Sequence, residues 1–494
     1  MVHTQALKWL LQSVYLLQVL GGDMKKGLIA FIAICIVICA IPLVGMTVRP
    51  TTESTENRAL SAFPSLRTQE GTLNVSFFQE FENYFSEHFA FRNELVYADA
   101  VVQSKVFGVS STDRVTAGRN GWLYYTSTID DYLGTDRLSE REIYNIAHNL
   151  SIVKKYLDEK GIDFVITIPP NKNTLYGKNM PYYASDVVNP THEMEVLAPI
   201  LESNDIPYAD LLELFRTQSD TLYLKRDSHW DNRGALLAYN AILDEAGYKH
   251  DDFSGVEVTR AIDEVGDLNK MLYTFYGEKE ANYRYNLPDT YEYLSDFTSV
   301  EDSWIETENP EGKKNLLMFR DSFGNTLIPF MANQFKNARF SKGLPYSLEP
   351  LIEEKKPDLV VFERVERSMD DFMDVPPIIS APGTVWPYGL SPDFEGDEAV
   401  ETETTVSVCN MPFNSKYYEI SGIIDEEYIR ENSDIIVVVN SLMYDAYHTG
   451  ENGYAIYVKK YGALDFPMEI NVVVITDGEI QIVHKSTIEQ LSAE

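Results

Sequence analysis

Short apolar runs alternate with amphipathic segments from about residue 115 to residue 375. Apolar, β-branched runs are typical of strands that are buried on both faces of a sheet. The predicted strands are 164–168, 207–210, 315–319 and 359–362. The predicted helices are 140–160, 192–203, 232–246 and 323–334. Because strands and helices alternate, we predict an α/β domain with a mainly parallel sheet flanked by helices.

Two of these helices carry clear start signals. Ser139 followed by Glu142 fits a capping box, in which each side chain bonds the other residue's backbone N–H. Asp231 is predicted as the N-cap of helix 232–246, and Gly247 follows its end. These signals fix where the chain enters each helix.

The pattern changes at about residue 376, where several prolines interrupt the chain. Beyond these prolines, the pattern of apolar and polar residues predicts a series of closely spaced strands. Asp477-Gly478 between the last two strands predicts a hairpin turn. We therefore predict a second, β-sandwich-like domain over residues 376–494.

An uncharged segment of 22 residues, 27–48, precedes both domains. As a helix it would extend about 33 Å, which is enough to cross a bilayer core of about 30 Å. Lys25 and Lys26 before it favour a cytoplasmic N-terminus. We expect a single-pass protein of the cell membrane with extracellular soluble domains. The predicted parts are an extension (1–23), a transmembrane signal anchor (24–48), a linker (49–64), the α/β domain (65–375) and the β-rich domain (376–494).

Net charge and cysteine usage narrow the possible functions. The formal charge of −35 disfavours nucleic acid as a partner. Cys35 and Cys39 lie in the uncharged segment, which leaves Cys409 alone in the rest and excludes a disulfide there. The remaining sequence has no Cys/His cluster or phosphate loop, so we predict no metal and no cofactor.

The first candidate for chemistry is the pair Asp227 and His229. Residues i and i+2 of an extended segment point to the same side. A carboxylate there can accept from the imidazole Nδ1–H and stabilise the imidazolium, as a base in acyl transfer requires. Ser228 between them points the other way, so we expect little catalytic effect from it.

Ser322 is the second candidate, because it lies between an apolar strand and a helix. Sites of α/β proteins lie at this edge of the sheet. The N–H groups of Ser322 and Phe323 would open the helix and form an oxyanion site. The alternative for Ser322 is a helix N-cap. For Asp321, helix capping is favoured over chemistry.

Both segments resemble a known family. DSHWDNRGALLAYNAI (227–242) resembles a segment of the AlgX/AlgJ-like and DHHW families, and FRDSFGNTLIPF (319–330) resembles their D-S-F segment. The order and spacing of such segments agree over about residues 55–370. The resemblance implies an SGNH-hydrolase-like fold with Asp227, His229 and Ser322 as catalytic residues. It also implies acetyl transfer to an exported polysaccharide beside a membrane-bound O-acyltransferase.

Other positions match the family or depart from it. The predicted substrate-binding residues are Lys172, Tyr176, Trp230 and Asn325. A solvated loop lysine is the alternative for Lys172, and a structural ion pair is favoured for Glu363 and Arg367. Arg320 stands where many SGNH proteins have glycine.

The sequence thus predicts an exported serine acyltransferase that O-acetylates a polysaccharide through an acetyl-serine intermediate. One alternative is a glycan O-acetylesterase. Another, which Arg320 favours, is a non-catalytic glycan-binding or scaffold protein. Tyrosines of predicted exposed loops in the β-rich domain, Tyr444, Tyr447 and Tyr454, suggest sugar binding there. The alternative is that this domain is structural.

Overall fold

The computed structural model describes a defined set of residues. They are 22–46, 61–67, 71–273, 277–294, 296–384, 386, 396, 398–412, 414–460 and 466–492. Most of the predicted extension and linker lies outside them. The chain divides into two compact units, one formed by residues 1–115 and 269–278 and the other by 116–268 and 279–494.

Helices and strands follow each other in the order that the sequence pattern indicates. The helices are α1 (Gly22–Gly45), α2 (Phe77–His88), α3 (Arg92–Val102), α4 (Ile129–Leu133), α5 (Glu140–Asp158), α6 (Lys172–Tyr176), α7 (Glu193–Ser203), α8 (Leu211–Arg216), α9 (Asn232–Glu245), α10 (Asp267–Leu272), α11 (Ile328–Gln334), α12 (Leu348–Lys355) and α13 (Asp371–Asp374). The strands are β1 (Val115–Ala117), β2 (Leu123–Tyr125), β3 (Asp163–Thr167), β4 (Tyr208–Ala209), β5 (Val258–Glu264), β6 (Glu280–Tyr285), β7 (Glu292–Tyr293), β8 (Trp304–Glu308), β9 (Asn315–Phe319), β10 (Asn337–Ser341), β11 (Leu359–Glu363), β12 (Ser407–Asn410), β13 (Tyr417–Ile423), β14 (Asp434–Val439), β15 (Leu442–Asp445), β16 (Tyr447–Thr449), β17 (Gly453–Lys459), β18 (Met468–Thr476) and β19 (Glu479–Ile488).

A seven-stranded sheet forms the centre of the α/β part, in the order β4-β3-β11-β9-β10-β8-β7. Strands β4, β3, β11, β9 and β10 pair in parallel, and β8 and β7 add antiparallel pairs at one edge. Alternate strand residues enter separate cores, with Ile166 and Phe362 on one face and Val165 and Val361 on the other. Helices α5, α7 and α12 cover the first face, and α9 and α11 cover the second. The predicted α/β architecture is confirmed.

The predicted helix starts hold in the structure. Ser139 and Glu142 form the capping box of α5, and Asp231 accepts from the N–H groups of Arg233 and Gly234 at the start of α9. The predicted helix 323–334 is instead a 3₁₀ turn, Phe323–Thr326, followed by α11. Pro329 lies in the first turn of α11, where its missing N–H costs no intrahelical bond.

The C-terminal region is β-rich, as predicted. Its two four-stranded sheets have the orders β12-β13-β17-β16 and β15-β14-β18-β19. Both contribute to one apolar core, for example through Ile456 and Val472. The Asp477-Gly478 turn has positive φ at both residues, 51° and 84°, as a type I′ hairpin requires.

The tyrosine-containing loops of this region do not have the predicted exposure. Tyr447 and Tyr454 are buried, and Tyr444 is half-buried. Helix α5 covers this segment, because Asn149 donates to the His448 carbonyl (2.8 Å) and Asn145 to that of Gly450 (2.7 Å). The prediction that Tyr447 and Tyr454 are exposed is therefore wrong.

The first described helix is α1. None of the helices in the described part of the chain has both the length and the apolar character of a membrane span. The predicted transmembrane anchor is therefore not confirmed, and its last residues, 47 and 48, lie outside the described part of the chain.

Candidate active site

The Asp227–His229 segment lies directly before α9 and is closed by a β-bridge between Tyr223 and Trp230. Asp227 Oδ1 accepts the backbone N–H of His229 (2.9 Å) and lies 2.7 Å from His229 Nδ1. The i, i+2 spacing thus brings the carboxylate to the imidazole as predicted. The same oxygen fixes both the backbone and the ring of His229.

Ser322 follows β9 at the carboxyl edge of the sheet. Its Oγ lies 2.8 Å from His229 Nε2. The structure therefore joins all three predicted catalytic residues in one line of hydrogen bonds. Gly324 allows the turn to be this tight, because a Cβ there would lie 2.7 Å from Arg320 Cβ and 2.8 Å from Glu363 Oε2.

Asp227 and His229 each stabilise the charged form of the other. Burial alone would lower the pKa of His229, but the hydrogen bond and charge of Asp227 outweigh it and raise that pKa above its ordinary 6.5. Burial opposes ionisation of Asp227 as well, yet its contacts with His229 hold the pKa of Asp227 below the ordinary value. The arrangement favours an ionised carboxylate beside an imidazole that readily accepts a proton.

Asp267 is a fourth residue at the site, and sequence reasoning missed it. Its backbone N–H donates to Asp227 Oδ2 (2.9 Å), and its Oδ2 lies 3.8 Å from His229 Nδ1. Ser228 donates its hydroxyl to Asp267 Oδ2 (2.5 Å), so Ser228 contacts the site instead of pointing away from it. Gly266 permits this approach, because a Cβ there would lie 2.2 Å from the Arg226 carbonyl oxygen.

The protonation of Asp267 depends on its burial and on the charge of Asp227. Burial, followed by the negative charge of Asp227, raises the pKa of Asp267 above its ordinary value. Its charge in turn adds to the effect of Asp227 on His229. No motif in the sequence marks this loop, which follows the DSHW segment by about forty residues.

Lys172 is buried beneath the Asp227 loop and does not lie in solvent, so the solvated-lysine alternative is wrong. Its ammonium donates to the carbonyl oxygens of Leu224 (3.2 Å), Lys225 (3.0 Å) and Asp227 (2.5 Å). Burial lowers the pKa of Lys172 to about 8. All three N–H donors of the Lys172 ammonium bond these carbonyls. Lys172 is therefore placed to position the loop that carries Asp227.

Three further predicted substrate-binding residues also bind protein groups. The Tyr176 hydroxyl accepts the Leu222 N–H (2.9 Å). Buried Trp230 donates to Thr326 Oγ1 (2.6 Å) and so connects the two motif segments. Asn325 donates to a carboxylate oxygen of Glu301 (2.8 Å).

The Arg320 side chain is fully buried. Its guanidinium donates to the carbonyl oxygens of Val300 (3.0 Å), Asp302 (3.1 Å) and Asp321 (3.1 Å), and to Asn325 Oδ1. Arg320 therefore holds the 300–302 loop against the Ser322 turn.

Asp321 changes the predicted oxyanion site. Its Oδ1 accepts the Phe323 N–H (2.7 Å) and its Oδ2 accepts the Val365 N–H (2.8 Å). Capping by Asp321 is thus confirmed, but the Phe323 N–H is already used. In the described part of the chain, the Ser322 N–H has no hydrogen-bond partner and remains available.

The predicted Glu363–Arg367 ion pair does not occur among the described ion pairs. Glu363 Oε2 accepts the Asp321 N–H (3.0 Å). The Arg367 guanidinium instead bonds Asn171 Oδ1 (3.2 Å) and lies 5.7 Å from the centre of the Phe323 ring. Glu363 supports the Ser322 turn directly, and Arg367 lies beside it.

Groups that could ligate a metal also occur among the described residues. Three such groups have ligand atoms within 4.8 Å of one another. They are Asp227, His229 and Asp267; His148, Asp434 and His448; and Asp131, Glu193 and Glu366.

Residues 115–303 match the family described as "SGNH hydrolase-like domain, acetyltransferase AlgX". The match includes Asp227 and His229 and ends before Ser322. A comparison with curated proteins gave no match.

Several solved structures are similar to the chain. Bacillus cereus PatB1 has 19% sequence identity and a TM-score of 0.41, and the match covers 51% of this chain and 95% of PatB1. A DHHW family protein from Eubacterium siraeum DSM 15702 has 15% identity, a TM-score of 0.37, and coverage of 46% and 85%. Pseudomonas aeruginosa AlgX has 13% identity, a TM-score of 0.36, and coverage of 73% and 93%. The resemblance stated from the sequence motifs is confirmed, because residues 115–303 match the model of the AlgX SGNH hydrolase-like domain.

Proposed function

We propose that this protein is a serine O-acetyltransferase that acetylates a cell-surface or secreted polysaccharide. The observation that carries the proposal is the line of contacts from Asp227 through His229 to Ser322, at 2.7 and 2.8 Å. A nucleophile, a base and an orienting carboxylate are the parts that covalent acyl transfer requires. The family match to acetyltransferase AlgX supports acetyl as the transferred group.

In the first half-reaction, Ser322 Oγ attacks the acetyl carbonyl carbon of an ester donor and gives its proton to His229 Nε2. The developing oxyanion accepts from the Ser322 N–H. The C–O bond to the donor then breaks, and the leaving oxygen takes the proton from His229. Acetyl-Ser322 remains. Asp227 stabilises the imidazolium that forms in between.

In the second half-reaction, a sugar hydroxyl attacks the acetyl-serine carbonyl and gives its proton to His229. The Ser322 Oγ–C bond breaks, and Ser322 regains the proton. Attack by water instead would release acetate and make the protein an O-acetylesterase. Transfer to the sugar predominates if the bound acceptor excludes water from the acetyl-serine carbonyl.

We also propose that the protein is anchored by residues 24–48 with its soluble domains outside the cell. The support is the uncharged sequence of residues 27–48 after Lys25 and Lys26. A membrane-bound O-acyltransferase would then supply acetyl groups. A reporter fused after Glu494 should be active only outside the cytoplasm. Activity inside would overturn this arrangement.

The central test is turnover of a chromogenic acetyl ester by the full chain, with and without envelope polysaccharide as acceptor. Ser322→Ala should lose at least about 10³-fold of the activity, as removal of a catalytic nucleophile does. Ser203→Ala changes an exposed serine outside the site and should keep full activity. Mass spectrometry should detect an acetyl group on Ser322 in the wild type and in Ser203→Ala, and none in the corresponding peptide of Ser322→Ala.

Product analysis separates the two enzymatic outcomes. Acetylated polysaccharide indicates transfer, whereas acetate alone indicates an esterase. Full turnover by Ser322→Ala would show that the serine mechanism is wrong.

A further inference from the structure

Three carboxylates from distant parts of the sequence converge away from the Ser322 site. Asp131 lies in α4, Glu193 is the first residue of α7, and Glu366 lies in the turn after β11. Each offers an oxygen, and these oxygens lie within 4.8 Å of one another. They line a cavity of about 290 Å³. Such close grouping of like charges is costly unless something compensates it.

Each carboxylate is held in place through one of its two oxygens. Asp131 Oδ2 accepts from Asn171 Nδ2 (2.9 Å), and Glu193 Oε1 accepts from Arg137 Nε (2.9 Å). Glu366 Oε2 accepts the Asn171 N–H (2.6 Å) and the Thr174 hydroxyl (2.7 Å). These bonds fix the three carboxylates in position.

The second oxygen of Glu366 is an independent sign of a ligand. The Glu366 side chain is only 1% exposed. Its Oε1 has no hydrogen-bond partner among the described residues. His192 Nδ1 approaches it to 3.4 Å without a hydrogen bond. Buried polar atoms almost always form hydrogen bonds, so a buried carboxylate oxygen that has none and lies beside two other carboxylates indicates a missing ligand.

The charges around the cluster indicate that the missing ligand is a cation. The residues that line the cavity carry seven carboxylates and two guanidinium groups, those of Arg137 and Arg367, so their formal charge is 2 − 7 = −5. A divalent cation would offset part of this charge.

We propose that Asp131, Glu193 and Glu366 bind a Ca²⁺ ion whose remaining ligands are waters in the cavity. Carboxylate oxygens are hard ligands and favour Ca²⁺ or Mg²⁺ over zinc or copper. Ca²⁺ accepts the irregular geometry of side chains from three separate elements better than Mg²⁺ does. At about 30 Å³ per water, the cavity has room for several.

The bound ion would stabilise the fold near Ser322 and would take no part in the reaction. Asn171 donates to Glu366 through its N–H and accepts from Arg367 through its side-chain oxygen. Arg367 lies over the ring of Phe323, the neighbour of Ser322. Bound Ca²⁺ would therefore stabilise the segment that packs beside the candidate nucleophile. This inference is independent of the proposed acetyl transfer.

The test is thermal unfolding of the full chain after removal of metals with EDTA. Adding 1 mM Ca²⁺ should raise Tm by about 3 °C or more, because a ligand that binds only the folded state stabilises it. Mg²⁺ should give a smaller rise. Asp131→Asn should abolish the Ca²⁺ response. Asp136→Asn, an acid that lines the same cavity outside the cluster, should keep it.

Terbium luminescence supplies a second measurement, with one Tb³⁺ expected per chain and displacement by Ca²⁺. If Asp131→Asn does not fold, Glu193→Gln takes its place in both assays. An unchanged Tm of the wild type with Ca²⁺ would overturn the proposal. An equal rise in wild type and Asp131→Asn would do so as well, because it would reflect general screening of an acidic surface.

Discussion

His229, which is partly exposed, and His448, which is fully buried, are two imidazoles whose Nδ1 atoms each face an oxygen. The partner of His229 is the Asp227 carboxylate at 2.7 Å, and that of His448 is the Asn145 amide oxygen at 2.9 Å. Burial lowers the pKa of both. Asp227 reverses this effect and raises the pKa of His229. At His448, the neighbouring His148 and Arg141 lower the pKa further, well below 6.5.

The difference shows which surroundings suit an imidazole for proton transfer and which hold it neutral. His229 has a carboxylate at Nδ1 and the Ser322 hydroxyl at Nε2, so it can take a proton and keep it stabilised. His448 stacks on His148 at 3.9 Å, and within the described chain its Nε2 has no hydrogen-bond partner. Its surroundings hold a neutral ring between α5 and β16. A charged acceptor, more than burial, decides the role.

Removing His229 should give the largest effect in this comparison. We expect His229→Ala to lose at least about 10³-fold of kcat for a chromogenic acetyl ester, because His229 Nε2 is the group that bonds the Ser322 hydroxyl within the described residues. Its Tm should stay within a few degrees of the wild type. A loss below tenfold would contradict the assigned role of His229 as the base.

Removing His448 should instead affect stability. We expect His448→Ala to lower the free energy of unfolding by about 2–4 kcal/mol, because it leaves Asn145 without its partner and opens a buried cavity. The kcat of the folded variant at pH 7.5 should stay within about twofold of the wild type. Urea unfolding and ester turnover on the same samples measure both quantities.

The sign of the pH dependence sharpens the same prediction. Because the folded state lowers the pKa of His448, the stabilising contribution of this neutral histidine is present above the unfolded pKa of about 6.5. It is lost as the pH falls, since the unfolded state then binds the additional proton. The stability difference between the wild type and His448→Ala should therefore be larger at pH 7.5 than at pH 5.5. A constant difference would contradict the lowered pKa.

Local patterns were sufficient to predict much of the site. Asp227 and His229 are two residues apart, so chain geometry alone places them together. Ser322 was found from its position between strand and helix. The central strand β9 was predicted with its observed bounds, because a run of buried apolar residues leaves a clear pattern.

What the sequence could not predict depends on contacts between distant segments. Asp267 reaches His229 through a loop that has no periodicity, and Lys172 is buried because three carbonyls of another loop surround it. The position of the Phe323 N–H at a helix start predicts an oxyanion contact, but Asp321 accepts this N–H. The segment around Tyr447 predicts exposure, since nothing in it indicates that α5 covers it.

Replacing Lys172 tests whether the loop under Asp227 needs its buried cation. Lys172→Met keeps the length of the side chain but removes the donors to three carbonyls. We expect kcat to fall about 10- to 100-fold, because a small displacement of the orienting carboxylate misaligns His229. Lys178→Met changes an exposed lysine nearby and should have no effect. If both variants keep wild-type kcat, Lys172 is dispensable for positioning the site.

The smallest effect concerns Asp267, whose charge adds to that of Asp227 at His229. Asp267→Asn keeps an acceptor for Ser228 but removes this charge, so the pKa of His229 should fall. His229 must be neutral to act as a base, and activity therefore rises as the pH passes its pKa. The midpoint of the acidic limb of kcat/KM should move to lower pH by less than about one unit, since each unit corresponds to about 1.4 kcal/mol of interaction between protonation states. The plateau should stay within about threefold.

Asp263→Asn is the matched control, because Asp263 is paired with Arg284 at the surface. It should leave the midpoint unchanged. A shift of the Asp267→Asn midpoint to higher pH would contradict an electrostatic role. A loss of plateau activity as large as that of His229→Ala would mean that Asp267 orients the imidazole. The comparison with His448 would still hold in that case, because a carboxylate would still make His229 a base. That carboxylate would be Asp267 and not Asp227.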